Sequence, residues 1–561
     1  MHVMIRIFAA LALAGLVMPV QAAPELILHN GRIVTVDETF SIREAVAIEG
    51  DRFVAVGTDA EVMALAGEGT RVVDLDGRTV IPGLIDNHNH IIRATEYWSW
   101  EARLDGVATR AEAVRILREK ADALPADAWL FSLGGWTEDQ FRDESRGFTR
   151  AELDDIAPDR PAFLQVGYDH VYANSAWFAA MEIPLQRAAG DGATAGLEAF
   201  VVRDDDGMAT GRLNGGFPMI GQAIARFPDV TEDMQRDGVM ALMSEFNAMG
   251  LTTVYDAGGL GIRPESYTRL AAYDRQGLLT LRMPHNLWGG VIRTPTEAEA
   301  YMATLDRERP FQGTAMFDRI AAGEIFYAPF HWDNRIAPAI PSDEAIREAT
   351  AMLRRAAGNG WPIELHAIQP GTIGHILDAV AEVAKTHAVR PLQWSICHAD
   401  NISRDQIARM RDLGMTLKLR SMNVVGGLDA IFDAHGEQTY HMPPFHDLED
   451  SGVLFGIGSD GTKVAQSNPF VNLWWAVTGK MLNGETILKE TLSREQALIA
   501  HTRANARILF QGQRLGQIRP GFLADLVILD RDYMTVPAED IRDIAPIATL
   551  VGGEVVYGAL E

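Results

Sequence analysis

Two textures of hydrophobic patterning divide this chain. Near both ends, short runs alternate apolar and polar residues and break at Asn-Gly, Gly-Asp or Gly-Gly pairs. Leu26–Val36, Ala45–Asp51 and Phe53–Gly57 are examples near the start, and Ala524–Asp530 and Ile547–Tyr557 near the finish. A period of two between such turn residues predicts strands linked by hairpins. The middle instead offers eight unbroken apolar runs, most of them followed by helical periodicity. They are Val80–Asp86, Leu251–Asp256, Leu279–Pro284, Arg319–Glu324, Ile363–His366, Gln393–His398, Met415–Arg420 and Val453–Asp460. Strands alternating with helices predict an α/β fold, a (β/α)8 TIM barrel with its active site at the C-terminal strand ends. The two β-rich ends then form one small β-sandwich. The expected division is 23–80 and 511–561 for the sandwich and 81–510 for the barrel. The gap after the first run, about 92–245, far exceeds an ordinary crossover and reads as an insertion that walls the pocket.

Composition narrows the class. A 47% hydrophobic content describes a globular protein, and a formal charge of −26 without clustered basic residues argues against nucleic-acid binding. Residues 1–22 have the pattern of an export signal: Arg6, an apolar run from Ile7 to Val20, then Val20-Gln21-Ala22 as a cleavage site. The run is short for a membrane span, so a cleaved, periplasmic or secreted protein without a stable membrane anchor is expected. The single cysteine, Cys397, excludes an internal disulfide and reads as a small buried residue. Trp474-Trp475 fits either the contact of a homodimer or plain helix packing.

The chemistry lies at the strand ends. His88 and His90 follow the first run one residue apart, and positions i and i+2 of a strand face the same side. Glu324, His366, His398 and Asp460 each close a later run. Imidazole and carboxylate together suit a borderline divalent ion: zinc foremost, then manganese or iron, with one or two ions per chain. Such an ion turns water into hydroxide at neutral pH, and Asp460 is the expected general acid/base. His170, His285 and Trp136 are candidates for substrate binding, with Trp288 and Trp332 as further pocket aromatics. Asp256 reads as a capping or supporting group.

These residues resemble the amidohydrolase superfamily, in particular its family 3 branch of formamide deformylase-like enzymes. The carrying motifs are Pro82-Gly83-Leu84-Ile85-Asp86-Asn87-His88-Asn89-His90, His366-Ala367-Ile368, His398, Gly458-Ser459-Asp460 and the tail Gly516–Val527. Weaker matches are Gly134-Gly135-Trp136 and His170–Ser175. The resemblance implies that His88, His90 and Asp460 hold the more buried ion, and His366 and His398 a second. Where relatives commonly place a carboxylated lysine, Glu324 would offer the bridging carboxylate. Departures occur after His366, which reads Ala-Ile-Gln-Pro-Gly, and at Gly461-Thr462-Lys463. The implied activity is hydrolysis of an amide or N-formyl bond in a small molecule. The residues leave open an ester, lactone or cyclic amide as substrate, and a non-catalytic regulatory or binding protein, which would have no need of Asp460.

Overall fold

The computed structural model describes residues 23–187 and 195–560, so the expected export signal lies outside the described residues. Eight parallel strands pair in chain order: β1 Leu84–Asn89, β2 Leu251–Asp256, β3 His285–Leu287, β4 Arg319–Ala322, β5 Glu364–Ala367, β6 Ser395–His398, β7 Thr416–Arg420 and β8 Leu454–Gly458. They form two four-stranded sheets. Isolated parallel bridges join these at Ala322–Ile363 and at Asn89–Gly461. Helices fill most connections. Asp343–Gly358, capped by Ser342, buries Ala345, Ala349, Met352, Leu353 and Ala356, an apolar stripe at helical spacing.

The expected first strand splits in two at Gly83. Thr79–Pro82 pairs with Leu526–Leu529 and Arg32–Val34, whereas Leu84–Asn89 pairs with β2. Gly83 donates its N–H to Asp525 O at 2.9 Å. A Cβ there would stand 2.2 Å from Thr252 Oγ1, so only glycine lets the chain pass between the two sheets. A six-stranded sheet thus takes Arg32–Val34, Ile42–Arg43 and Thr79–Pro82 from one chain end. The other end supplies Leu526–Leu529, Pro546–Val551 and Glu554–Gly558. It shares a buried cluster (Leu28, Ile33, Val46, Phe53, Leu526, Leu550) with the four-stranded sheet of Leu26–His29, Ala45–Glu49, Arg52–Gly57 and Arg71–Asp74.

The third run needs a correction. Only the end of Leu279–Pro284 pairs: Arg282 bridges Thr253 of β2 in parallel, and the strand proper begins at His285. Arg282 forms a buried ion pair with Asp525 at 2.8 Å, which ties this segment to the terminal sheet before it enters β3. Between β1 and β2 stands a separate five-stranded sheet of Leu130–Leu133, Ala162–Val166, His170–Ala173, Ala209–Asn214 and Val201–Arg203. The rings of Trp474 and Trp475 are fully buried within the chain, so the homodimer contact considered for them does not exist at that pair.

Candidate metal centre and pocket

His88 lies near the end of β1 and His90 just past it, both turned inward. The ring of His88 is completely buried, and neither of its nitrogens has a hydrogen-bond partner. Its Nε2 stands 3.8 Å from Glu324 Oε1 and 3.8 Å from Asp460 Oδ1. His90 Nε2 is 3.2 Å from Asp460 Oδ1. Glu324, just past β4, receives His398 Nε2 at 2.9 Å and His366 Nδ1 at 3.1 Å on Oε1. All six residues singled out as ligands therefore converge. Two triads, His88–His90–Asp460 and His88–Glu324–His398, each bring ligand atoms within 4.8 Å of one another. The donor set is nitrogen and oxygen, and the unpartnered nitrogens of His88 and Nδ1 of His398 are buried atoms that lack an electrophile. That chemistry fits a divalent ion.

The surroundings orient these rings. His90 Nδ1 meets Gly258 O at 2.7 Å, leaving Nε2 to the site. His366 Nε2 lies 3.3 Å from Asp333 Oδ1, and the Asp333 carboxylate is itself held by the backbone N–H groups of Ile368 and Gln369. Burial works against charge on His366, yet Asp333 and Glu324 push its pKa up to about 10. Burial alone would raise the pKa values of Asp460 and Glu324. The imidazoles around both, and Arg420 beside Asp460, hold both carboxyls far below their ordinary range. Arg420, the last residue of β7, donates to Asp460 Oδ2 at 2.9 Å and to Asp400 Oδ2 at 2.7 Å, all in the interior.

Two further groups fix the loop that carries Asp460. Asp86 Oδ1 accepts the N–H of His88 and of Ser459, and its Oδ2 accepts Ser459 Oγ at 2.5 Å. Asp86 thereby staples β1 to the residue before Asp460. On the far side, Gly135 N–H donates to Lys463 O, Arg103 to Thr462 O at 3.1 Å, and Ser467 N–H to Asp105. Gly134 packs so tightly that a Cβ would lie 2.1 Å from Lys463 O. Asp256 accepts Ile92 N–H and caps the turn after His90, as its reading as a capping group anticipated.

A cavity of about 730 Å³ opens above the cluster. Its walls include Tyr168, Phe217, Trp288 and Trp332, with His170 at the edge. His170 is engaged by Glu138 at 2.7 Å and by Asp169 at 2.9 Å. Two of the proposed substrate contacts fall elsewhere. Trp136 is wholly enclosed among Phe141, Phe148 and Tyr172, because Gly134-Gly135 turn the backbone toward Lys463 and the ring away from the cavity. His285 opens β3 rather than following it. Its ring lies between Tyr267 and Phe317, and burial pushes its pKa down to about 3. Residue-type reasoning passed over Arg420, Asp333 and Asp86. Arg420 was findable, since it closes a predicted strand as the ligands do. Asp333 was not, because it lies in a loop with no periodic signal.

The model of the amidohydrolase family matches residues 71–557 of the chain. An N-substituted formamide deformylase of Arthrobacter pascens is 27% identical over 556 residues, covering 95% of this chain and 98% of that protein. A putative amidohydrolase, YtcJ, of Bacillus subtilis (strain 168) is 23% identical over 544 residues, covering 95% and 99%. Among solved structures, an uncharacterized metal-dependent hydrolase from Pyrococcus horikoshii OT3 superposes with a TM-score of 0.63 at 19% identity, covering 92% of this chain and 99% of that one. This last likeness bears on the fold alone, a TIM-barrel-type α/β arrangement.

Proposed function

The chain belongs to the amidohydrolase family and is a hydrolase of carbon–nitrogen bonds other than peptide bonds; from that premise we propose an exported, metal-dependent enzyme that cleaves an amide or N-formyl bond in a small molecule. The observation that carries the reading is the convergence of four histidines, Glu324 and Asp460 around unpartnered imidazole nitrogens. His88, His90 and Asp460 would hold one divalent ion, zinc by preference, and His366 and His398 a second, with Glu324 shared between them. When bound, such an ion supplies Lewis acidity and lowers the pKa of water to about 7.

The chain's own groups do the rest. Arg420 anchors Oδ2 of Asp460 and keeps the carboxylate ionised, leaving Oδ1 to take a proton from the attacking water and return it to the departing nitrogen. The Asp86 staple and the Gly134–Lys463 contact hold that oxygen in place. The aromatic walls would bind an apolar substituent and keep bulk water from the amide. In this reading the terminal sheets form one sandwich, 92–245 is an insertion that roofs the site, and 1–22 is removed on export.

The test is the metal content per chain of the mature protein and of Glu324→Ala, with a screen of N-formyl and N-acyl amides on the wild type. Two ions falling to one or none would support the shared carboxylate. One ion in both proteins would leave a mononuclear enzyme with Glu324 a bystander. No metal after loading, or no amide cleaved, would overturn the reading.

A further inference from the structure

The ionic groups on the cavity wall are unevenly matched. Each carboxylate there has a partner: Glu138 and Asp169 have His170, Asp333 has His366 and two backbone N–H groups, Asp460 has Arg420, and Asp139 accepts the N–H of Gly427. Arg420 is matched twice, by Asp400 and Asp460. Arg335 is not. Its Nη2 donates to two neutral acceptors, Asn423 Oδ1 at 2.7 Å and Gly426 O at 3.4 Å. Its Nε is buried without a partner, and among the described residues no carboxylate reaches it at ion-pair distance. Burial and the like charge of Arg420 lower its pKa to about 10, so it stays protonated at neutral pH. A half-buried guanidinium with Nε out of water, no carboxylate at ion-pair distance and only the longer-range charges of Asp400 and Asp139 is poised to take an anionic ligand. Its planar fork matches a carboxylate. Beside it Trp332, Ile336 and Phe217 offer apolar surface.

We propose that Arg335 is a specificity residue that binds a carboxylate on the substrate. The substrate is then an amide carrying both a carboxylate and an apolar or aromatic group, of the kind made by acylating or formylating an amino acid. This inference rests on the hydrolase reading above and narrows it. The Asn423 and Gly426 contacts hold the Arg335 fork between the loop after β4 and the loop after β7, so the anion is gripped while the amide lies toward Glu324 and Asp460.

Calorimetric binding of 3-phenylpropanoate and of the neutral 3-phenyl-1-propanol to the metal-loaded full chain tests it. The wild type should prefer the acid by about tenfold or more. Arg335→Gln should lose that preference while binding the alcohol as before, and Arg335→Lys should recover part of it. A merely structural role would weaken both probes together. Absence of an acid preference in the wild type, binding of neither probe included, overturns the proposal without needing any variant. An acid preference unchanged in Arg335→Gln overturns it too, by assigning the anion to the metal or to Arg93. Cleavage is assayed separately with N-formylphenylalanine and its carboxamide. Acid-selective binding without cleavage of any amide would sink the hydrolase reading and leave the anion site standing. Equal cleavage of both amides by the wild type would sink the anion site and leave the hydrolase.

Discussion

Gly134→Ala is the sharpest test of how Asp460 is held. Gly134 adopts φ 103°, where an L-residue is strained by roughly 1–2 kcal/mol. The added methyl would also lie 2.1 Å from Lys463 O, about 1 Å inside the closest approach real side chains make. The obstacle is backbone on both sides, so relief must come from displacing the Lys463 segment, three residues from Asp460. A misplacement of about 1 Å in catalytic geometry costs on the order of 100-fold in rate. Asp460 would itself be a ligand with His88 and His90, and His90 N–H donates to Gly461 O at 2.7 Å, so the ion of that triad should bind more weakly while one at His366 and His398 should hold. The expected outcome is turnover of an N-formyl amide reduced about 100-fold, with at most the ion shared by Asp460 weakened. Lys463→Ala, which keeps the backbone carbonyl, should fall much less. Wild-type turnover in Gly134→Ala would refute the idea that this contact sets the position of Asp460. Loss of all bound metal together with activity would refute it as well, by pointing to a general collapse.

Other consequences can be measured directly. Arg420→Met leaves Asp400 buried without its ion pair and Asp460 with its imidazoles alone, and should destabilise the metal-free protein by about 3–5 kcal/mol, seen as a lower denaturation midpoint; adding Asp400→Asn should restore part of it. Burial pushes the Lys463 ammonium from 10.5 down to about 8. Between these values the unfolded chain binds more protons, so stability should rise with pH from about 8 to 10.5, and Lys463→Met should flatten that rise. Trp136→Ala should lower the unfolding midpoint by the equivalent of about 3–5 kcal/mol, whereas Trp332→Ala should raise KM for aromatic amides and leave the midpoint nearly unchanged. N-terminal sequencing of the secreted protein should begin at Ala23; an intact Met1 would refute cleavage.

Much of the centre was legible because strand geometry is local. An apolar run ending in His88, His366, His398 or Asp460 says where the side chain goes, since strand ends share one rim. The misplaced residues failed where a non-local contact decided the outcome. His285 looked like a strand-end residue, but β3 runs on to Leu287 where it pairs with β4, a partner more than thirty positions away. Trp136 sits in a motif whose working parts are the two glycines, and nothing in a short window reveals that Lys463 lies against them. Arg335 was invisible for a related reason: lacking an ion-pair partner is a property of surroundings, not of the residue or its neighbours in sequence.

The pairing of Thr79–Pro82 with Leu526–Leu529 also sets a timetable. The early strand is made near the start of synthesis, and its antiparallel partner emerges tens of seconds later, after the whole barrel. Until then one side of Thr79–Pro82 has no mate, and the backbone leading directly into His88 and His90 lacks its far support. The catalytic rim can therefore mature only after translation has nearly finished. A break in the last strands would be felt at the opposite end of the chain, in the histidines that were made first.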